Sequence, residues 1–213
     1  MNEVISLKEA EKKVFSFATQ DGLVDVFLGC LFLGWAIAPF LSSTLGDFWS
    51  IAVFVPFWGT VMFIIWLLRK YVVKSRVGAV QYGKVRKARL RKFTFIMLAI
   101  NILALVAGIW TTYNYDVMSS HFPAAVFSLT VLVLFSTAAY FLDFHRLYIY
   151  GLLVCFSPTV GEWLYEDYGA SHHGFPITFG VSAAVMFSTG LFVFVRLLRS
   201  NPLPDEETAH RES

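Results

Sequence analysis

Between Glu162 and His173 the sequence EWLYEDYGASHH brings together Glu162, Glu166, Asp167, His172 and His173. Glu162 and Glu166 are one helical turn apart and share a helix face. Two carboxylates and two neutral imidazoles are a donor set for Zn²⁺ or another divalent ion, so Glu162, Glu166, His172 and His173 form a candidate metal site. The spacing matches no established metal motif, and neighbouring histidines are poorly placed to reach one ion. An exposed polar loop is the competing reading. His121, in the preceding loop on the same side, would strengthen the metal reading only if it came close.

A second constellation is QDGLVDVFLG, where Asp21 and Asp25 share a face at the start of an apolar stretch. At 1.5 Å of rise per residue, Asp25 sits about 6 Å deeper than Asp21. A carboxylate within an apolar span is costly unless paired or protonated, which makes it a functional candidate by default. The competing reading is structural, because free backbone N–H groups and the positive dipole end of a helix stabilise anions there, with Asp21 as the N-cap. At the same level lies the turn Asp143–Arg146, whose one cation is Arg146. A buried Asp25–Arg146 pair is the expected specific contact, tying the two halves of the chain together or forming a gate.

Elsewhere polarity is thin. Asn101, Ser157 and Thr159 fall inside apolar stretches and, with Asp21, form a candidate polar path. Pro158 removes one helix hydrogen bond and can free backbone carbonyls for a ligand, although such a proline more often serves packing. Cys30 and Cys155 read as two small apolar thiols, and a disulfide would require their helices to touch. No nucleophile elbow, phosphate-binding glycine loop or His-Glu-x-x-His sequence occurs, and no motif requires a cofactor.

The elements that must position these residues are helices. Hydrophobic residues make up 57% of the 213 and charged ones 15%, leaving too little polar surface to clothe a soluble fold of this size. Six apolar stretches, at about 22–41, 48–68, 93–112, 122–142, 147–165 and 176–195, each approach the ~20 residues needed to cross a bilayer. The alternating ten-residue segments of a β-barrel are missing from the sequence. The expected fold is all-α, a polytopic membrane bundle of six transmembrane helices over residues 21–199. A short amphipathic helix at 6–18 precedes it, opened by the capping box Ser6–Glu9, within a cytoplasmic segment 1–20. That segment does not read as a cleaved signal peptide, since acids and bases interleave along it. Residues 200–213 read as a disordered cytoplasmic tail.

Charge orients the bundle. All 17 Lys and Arg residues fall in the N-terminal segment, the 69–92 connection, the Asp143–Arg146 turn and the C-terminal region. The intervening loops 42–47, 113–121 and 166–175 contain none. The positive-inside rule therefore puts both termini in the cytoplasm of a plasma membrane, the inner membrane in a bacterial cell. A model with five or seven spans would put some of those cations on the wrong side. Within the basic loop, the run KVRKARLRK carries Lys84, Arg86, Lys87, Arg89, Arg91 and Lys92, expected to extend the third span as a basic helix. The residues before it, 76–83, suggest a turn or short hairpin. The basic run is expected to bind anionic lipid headgroups at the membrane face, with an acidic protein partner or nucleic acid as weaker readings.

Three function classes follow. A structural or accessory membrane protein with a basic cytoplasmic docking surface ranks first, because polarity concentrates at the two faces. A small transporter or channel along Asp21, Asn101, Ser157 and Thr159 ranks second. A metal-assisted intramembrane enzyme at the Glu/His loop ranks third. Substrate and oligomeric state, including self-association, are left open by the residues.

Overall fold

The computed structural model describes residues 21–77, 84–114 and 121–201. The expected amphipathic helix at 6–18, residues 78–83 of the expected turn and the tail from 202 onward lie outside the described residues, as do the side chains of Lys84 and His121. The described residues are almost wholly helical, with no strand among them.

Six helices are long and apolar enough to span a bilayer. We number the main segments α1 (Leu23–Leu45), α2 (Asp47–Leu67), α3 (Lys84–Tyr113), α4 (His121–Leu142), α5 (Arg146–Tyr168) and α6 (Phe175–Ser200). Each coincides with one expected stretch, extended beyond the hydropathic limits because a polar turn can continue a helix past the apolar run. The largest extension follows α2, where a π-helical segment Leu68–Val73 and a helical turn Lys74–Val77 carry the chain onward. Arg76 and Val77 are thus helical, where a turn or hairpin was expected. The basic run does belong to α3.

The buried apolar core is built by α1, α4, α5 and α6. Phe32 and Ala36 of α1 meet Val131 and Ala139 of α4, Tyr150 and Val154 of α5, and Phe179, Ala183 and Met186 of α6. Helices α2 and α3 lie outside this core, α2 against α1 and α3 against α4. Among the described residues, neither contributes to the buried apolar set. They instead expose large side chains such as Val55, Phe95 and Leu103, each about two-thirds uncovered. A continuous surface of that kind suits hydrocarbon, because water would penalise it heavily.

Helices α1 and α6 approach closely. Gly22 takes a left-handed φ of 84°, and a Cβ there would collide with the carbonyl oxygen of Gly190. Reciprocally, a Cβ on Gly190 would lie 2.6 Å from the backbone nitrogen of Val26. Only glycine, at the N-cap of α1 and within α6, allows the backbones to meet there. Both cysteines are free, Cys30 on α1 and Cys155 on α5.

Antiparallel helices bring the basic segments to one end of the bundle, here termed the arginine end. The α1–α2 and α5–α6 connections lie at the other, the histidine end, with the described C-terminal end of α3.

Candidate functional site

At the arginine end three aspartates are each held by arginine. Asp21 has 1% of its side chain exposed, and its Oδ2 lies 3.1 Å from Arg69 Nε in the π-helical segment. Gly22, not Asp21 as expected, is the N-cap of α1, although Asp21 Oδ1 accepts the Leu23 N–H at 3.0 Å from one residue further out. Asp25 is fully buried, and Arg146 Nη1 of α5 stands 3.0 Å from its Oδ2. The Tyr150 hydroxyl faces the same carboxylate. Arg146 also lies over the Phe144 ring, 4.9 Å from its centroid, so its guanidinium is backed by an aromatic face as well as an anion.

Asp143 closes α4 with φ 51°, a left-handed conformation, while Phe144 N–H bonds back to Ala139 O at 3.0 Å. That pattern is a helix C-terminal motif that usually takes glycine. Aspartate occupies it here with its carboxylate aimed at α3, where Arg86 Nη1 lies at 2.8 Å and Arg89 Nη1 at 3.2 Å. Arg89 donates further to Tyr140 O at 2.6 Å. On the opposite flank Arg76 donates to the carbonyls of Leu198 and Asn201 at 2.9 and 3.0 Å, capping the negative end of α6. The peripheral helices α2 and α3 are therefore pinned to the core by charge at this end.

These contacts divide the basic run. Arg86 is 7% exposed and Arg89 about a third, and both turn toward Asp143. They do not belong to the surface expected for the whole run, because a helix aims residues three apart at one face and Asp143 occupies that face. Lys87, Arg91 and Lys92 fall on the remaining faces and are exposed. Lys70, Lys74, Arg196 and Arg199 are exposed at the same end.

The residues of the candidate polar path do not converge. Asp21 is engaged at the arginine end. Asn101 on α3 is exposed and donates to Met97 O of its own helix at 2.8 Å. Thr159 is exposed, whereas Ser157 is buried against Ser182 of α6, their hydroxyls 3.0 Å apart. Side chains on different faces of α3 and α5 cannot line one passage, and apolarity alone does not reveal which face a polar residue takes.

At the histidine end the Glu/His residues also separate. His172 and His173 both have positive φ, 52° and 55°, and their side chains fan apart. His172 packs edge-on against Phe40 of α1, at 5.2 Å between centroids. His173 turns to α5, where its Nδ1 is 3.1 Å from Glu162 Oε2 and its ring is 4.5 Å from that of Tyr165. Glu166 is exposed. Among the described residues no three His, Cys, Asp or Glu side chains gather closely enough to hold a metal ion. Glu162 and His173, two of the proposed four, do meet.

That pair borders a partly open cavity of about 450 Å³ between α1, α4, α5 and α6. The cavity exists because the facing positions are slight: Ala38 and Pro39 on α1, Pro123 and Ala124 on α4, and Pro158 on α5. Its aromatic walls are Trp35, Phe127, Phe175 and Phe179. Trp35 meets Phe127 at 5.5 Å and Phe179 at 5.7 Å, and Phe179 stacks on Phe32 at 6.1 Å, closing the floor toward the middle of the bundle. Glu162 and Pro158 had been noticed in the sequence, but no periodicity signals that small residues on three separate helices face one another.

No protein-family model matches the chain, and comparison with curated proteins and with solved structures likewise gives no match.

Proposed function

We propose that the chain is an integral membrane protein of the structural, accessory class, whose arginine end faces the cytoplasm and holds anionic lipid headgroups. In this reading both termini are cytoplasmic and the six helices span the plasma membrane, the inner membrane if the cell is bacterial. The observation that carries it is the division of KVRKARLRK: Arg86 and Arg89 are used within the fold, while Lys87, Arg91 and Lys92 are exposed. Each described aspartate at this end is already paired with arginine, so the exposed lysines and arginines leave the rim positive. Such cations at an anionic membrane surface contribute about 1 kcal/mol each. The ion pairs that pin α2 and α3 give that rim a fixed shape, which is the quality expected of a docking surface.

The test is lipid retention. Protein extracted in mild detergent is expected to carry anionic phospholipid in excess over its share of the membrane. Replacing Lys87, Arg91 and Lys92 by Gln should lower the excess while leaving the unfolding temperature unchanged. Retention in proportion to membrane composition would refute lipid docking and turn attention to an acidic protein partner.

A small transporter is the second reading, favoured by one observation. The cavity is open near one end and stops at an aromatic floor, while the other end is tied shut by ion pairs. Solute flux into vesicles that contain the purified chain, lost on Asp25→Asn, would favour it over the accessory reading.

A further inference from the structure

We infer that the cavity at the histidine end is a binding site for an apolar organic cation, such as an ammonium ion carrying hydrocarbon or aromatic groups. This inference is independent of lipid docking at the arginine end.

Its size comes first. About 450 Å³ lies within the range of sites that take drug-sized molecules. The walls are almost entirely hydrocarbon, with Trp35, Phe127, Phe175 and Phe179 presenting ring surface and prolines and alanines presenting little else. Aromatic faces bind a cation through their quadrupoles, more strongly where water is excluded.

Charge decides the class of ligand. Among the described residues Glu162 is the one carboxylate in the lining, buried at 9% exposure, and its polar contact is His173. A carboxylate in such surroundings is costly without a counter-charge. Among the described residues no lysine or arginine lines the cavity, and the sequence contains none in 42–47, 113–121 or 166–175. Glu166 and Asp167, exposed at the end of α5, add negative charge at this end, which favours cations. His173 holds one carboxylate oxygen, Oε2, in place and so orients the group. A hydrocarbon chain would fill the volume but leave the carboxylate with the His173 contact alone, and an organic anion would be repelled. A small hydrated metal ion would gain nothing from the aromatic walls.

Tetraphenylphosphonium and tetraphenylborate, which share a shape and carry opposite charges, separate these cases. Equilibrium dialysis of each against the purified full chain in nonionic detergent should give saturable binding of the phosphonium alone. Glu162→Gln keeps the hydrogen bond to His173 and removes the charge, and is expected to weaken phosphonium binding by about tenfold or more. Ala124→Phe leaves the carboxylate in place and fills the cavity, and should abolish binding. Equal binding of both ions, absence of saturable phosphonium binding, or retention of full affinity in either variant would overturn the proposal and leave the cavity as a place for lipid chains.

Discussion

Arg146→Gln should destabilise the protein more than Asp25→Asn, although the two changes break the same ion pair. The asymmetry follows from exposure. Asp25 has no exposed surface, whereas 23% of the Arg146 side chain is exposed. Removing the guanidinium strands a carboxylate inside the bundle, near the Tyr150 hydroxyl and one turn from the charge of Asp21, at a loss of about 3–5 kcal/mol. Removing the carboxylate strands an arginine that can swing its head group to water, at a loss of about 1–2 kcal/mol. In the double variant neither charge is stranded, so its loss should be about 2–3 kcal/mol rather than the sum, a coupling of about 2 kcal/mol or more. Denaturant unfolding of the four proteins in one detergent, followed by tryptophan fluorescence, supplies the cycle. Losses that add within about 0.5 kcal/mol, or a larger loss for Asp25→Asn, would refute the pairing as an energetic contact.

Gly190→Ala should separate α1 from α6, because its new methyl would meet the Val26 backbone at 2.6 Å, with a loss of about 1–3 kcal/mol. Gly108→Ala, which meets nothing within 4 Å, should be neutral or slightly stabilising in the same unfolding assay. Asp143→Gly would relieve a left-handed backbone by about 1 kcal/mol, yet it removes the charged hydrogen bond from the buried Arg86, at about 2–3 kcal/mol. A net loss in thermal unfolding is therefore expected, and a net gain would show that the Asp143 pairs contribute little.

The helices were legible because hydropathy and length speak directly to a bilayer-sized element. All six appear at their expected positions, and the Asp143–Arg146 connection is the tight turn that its length implied. The ends were less legible. Nothing in the hydropathy of Leu68–Val77 says that helix continues, since that extension is held by Arg69 on Asp21 and Arg76 on the last carbonyls of α6, partners far away in sequence. For Asp25 and Arg146 the reasoning from depth was enough, because both had to lie at one level of the bundle, and the structure sets them 3.0 Å apart. For Arg86 and Arg89 it was not, because an arginine three residues from another defines a face without saying what meets it. A search for the partner of Asp143, whose charge sits in a turn with a single cation, would have pointed to the basic run. The Glu/His loop illustrates the limit: composition proposed a metal site, and two consecutive left-handed residues send its histidines apart.

The lipid-docking proposal depends on which way the bundle faces, so sidedness is its most direct measurement. With Cys30 and Cys155 replaced by Ala, single cysteines at the exposed positions Ser171 and Ser200 report on the histidine and arginine ends. An impermeant thiol reagent added to intact cells, with the outer envelope opened where there is one, is expected to label Ser171→Cys at once. Ser200→Cys should react only after the membrane is permeabilised. Labelling of Ser200→Cys in the intact cell would put the basic rim outside and contradict the account.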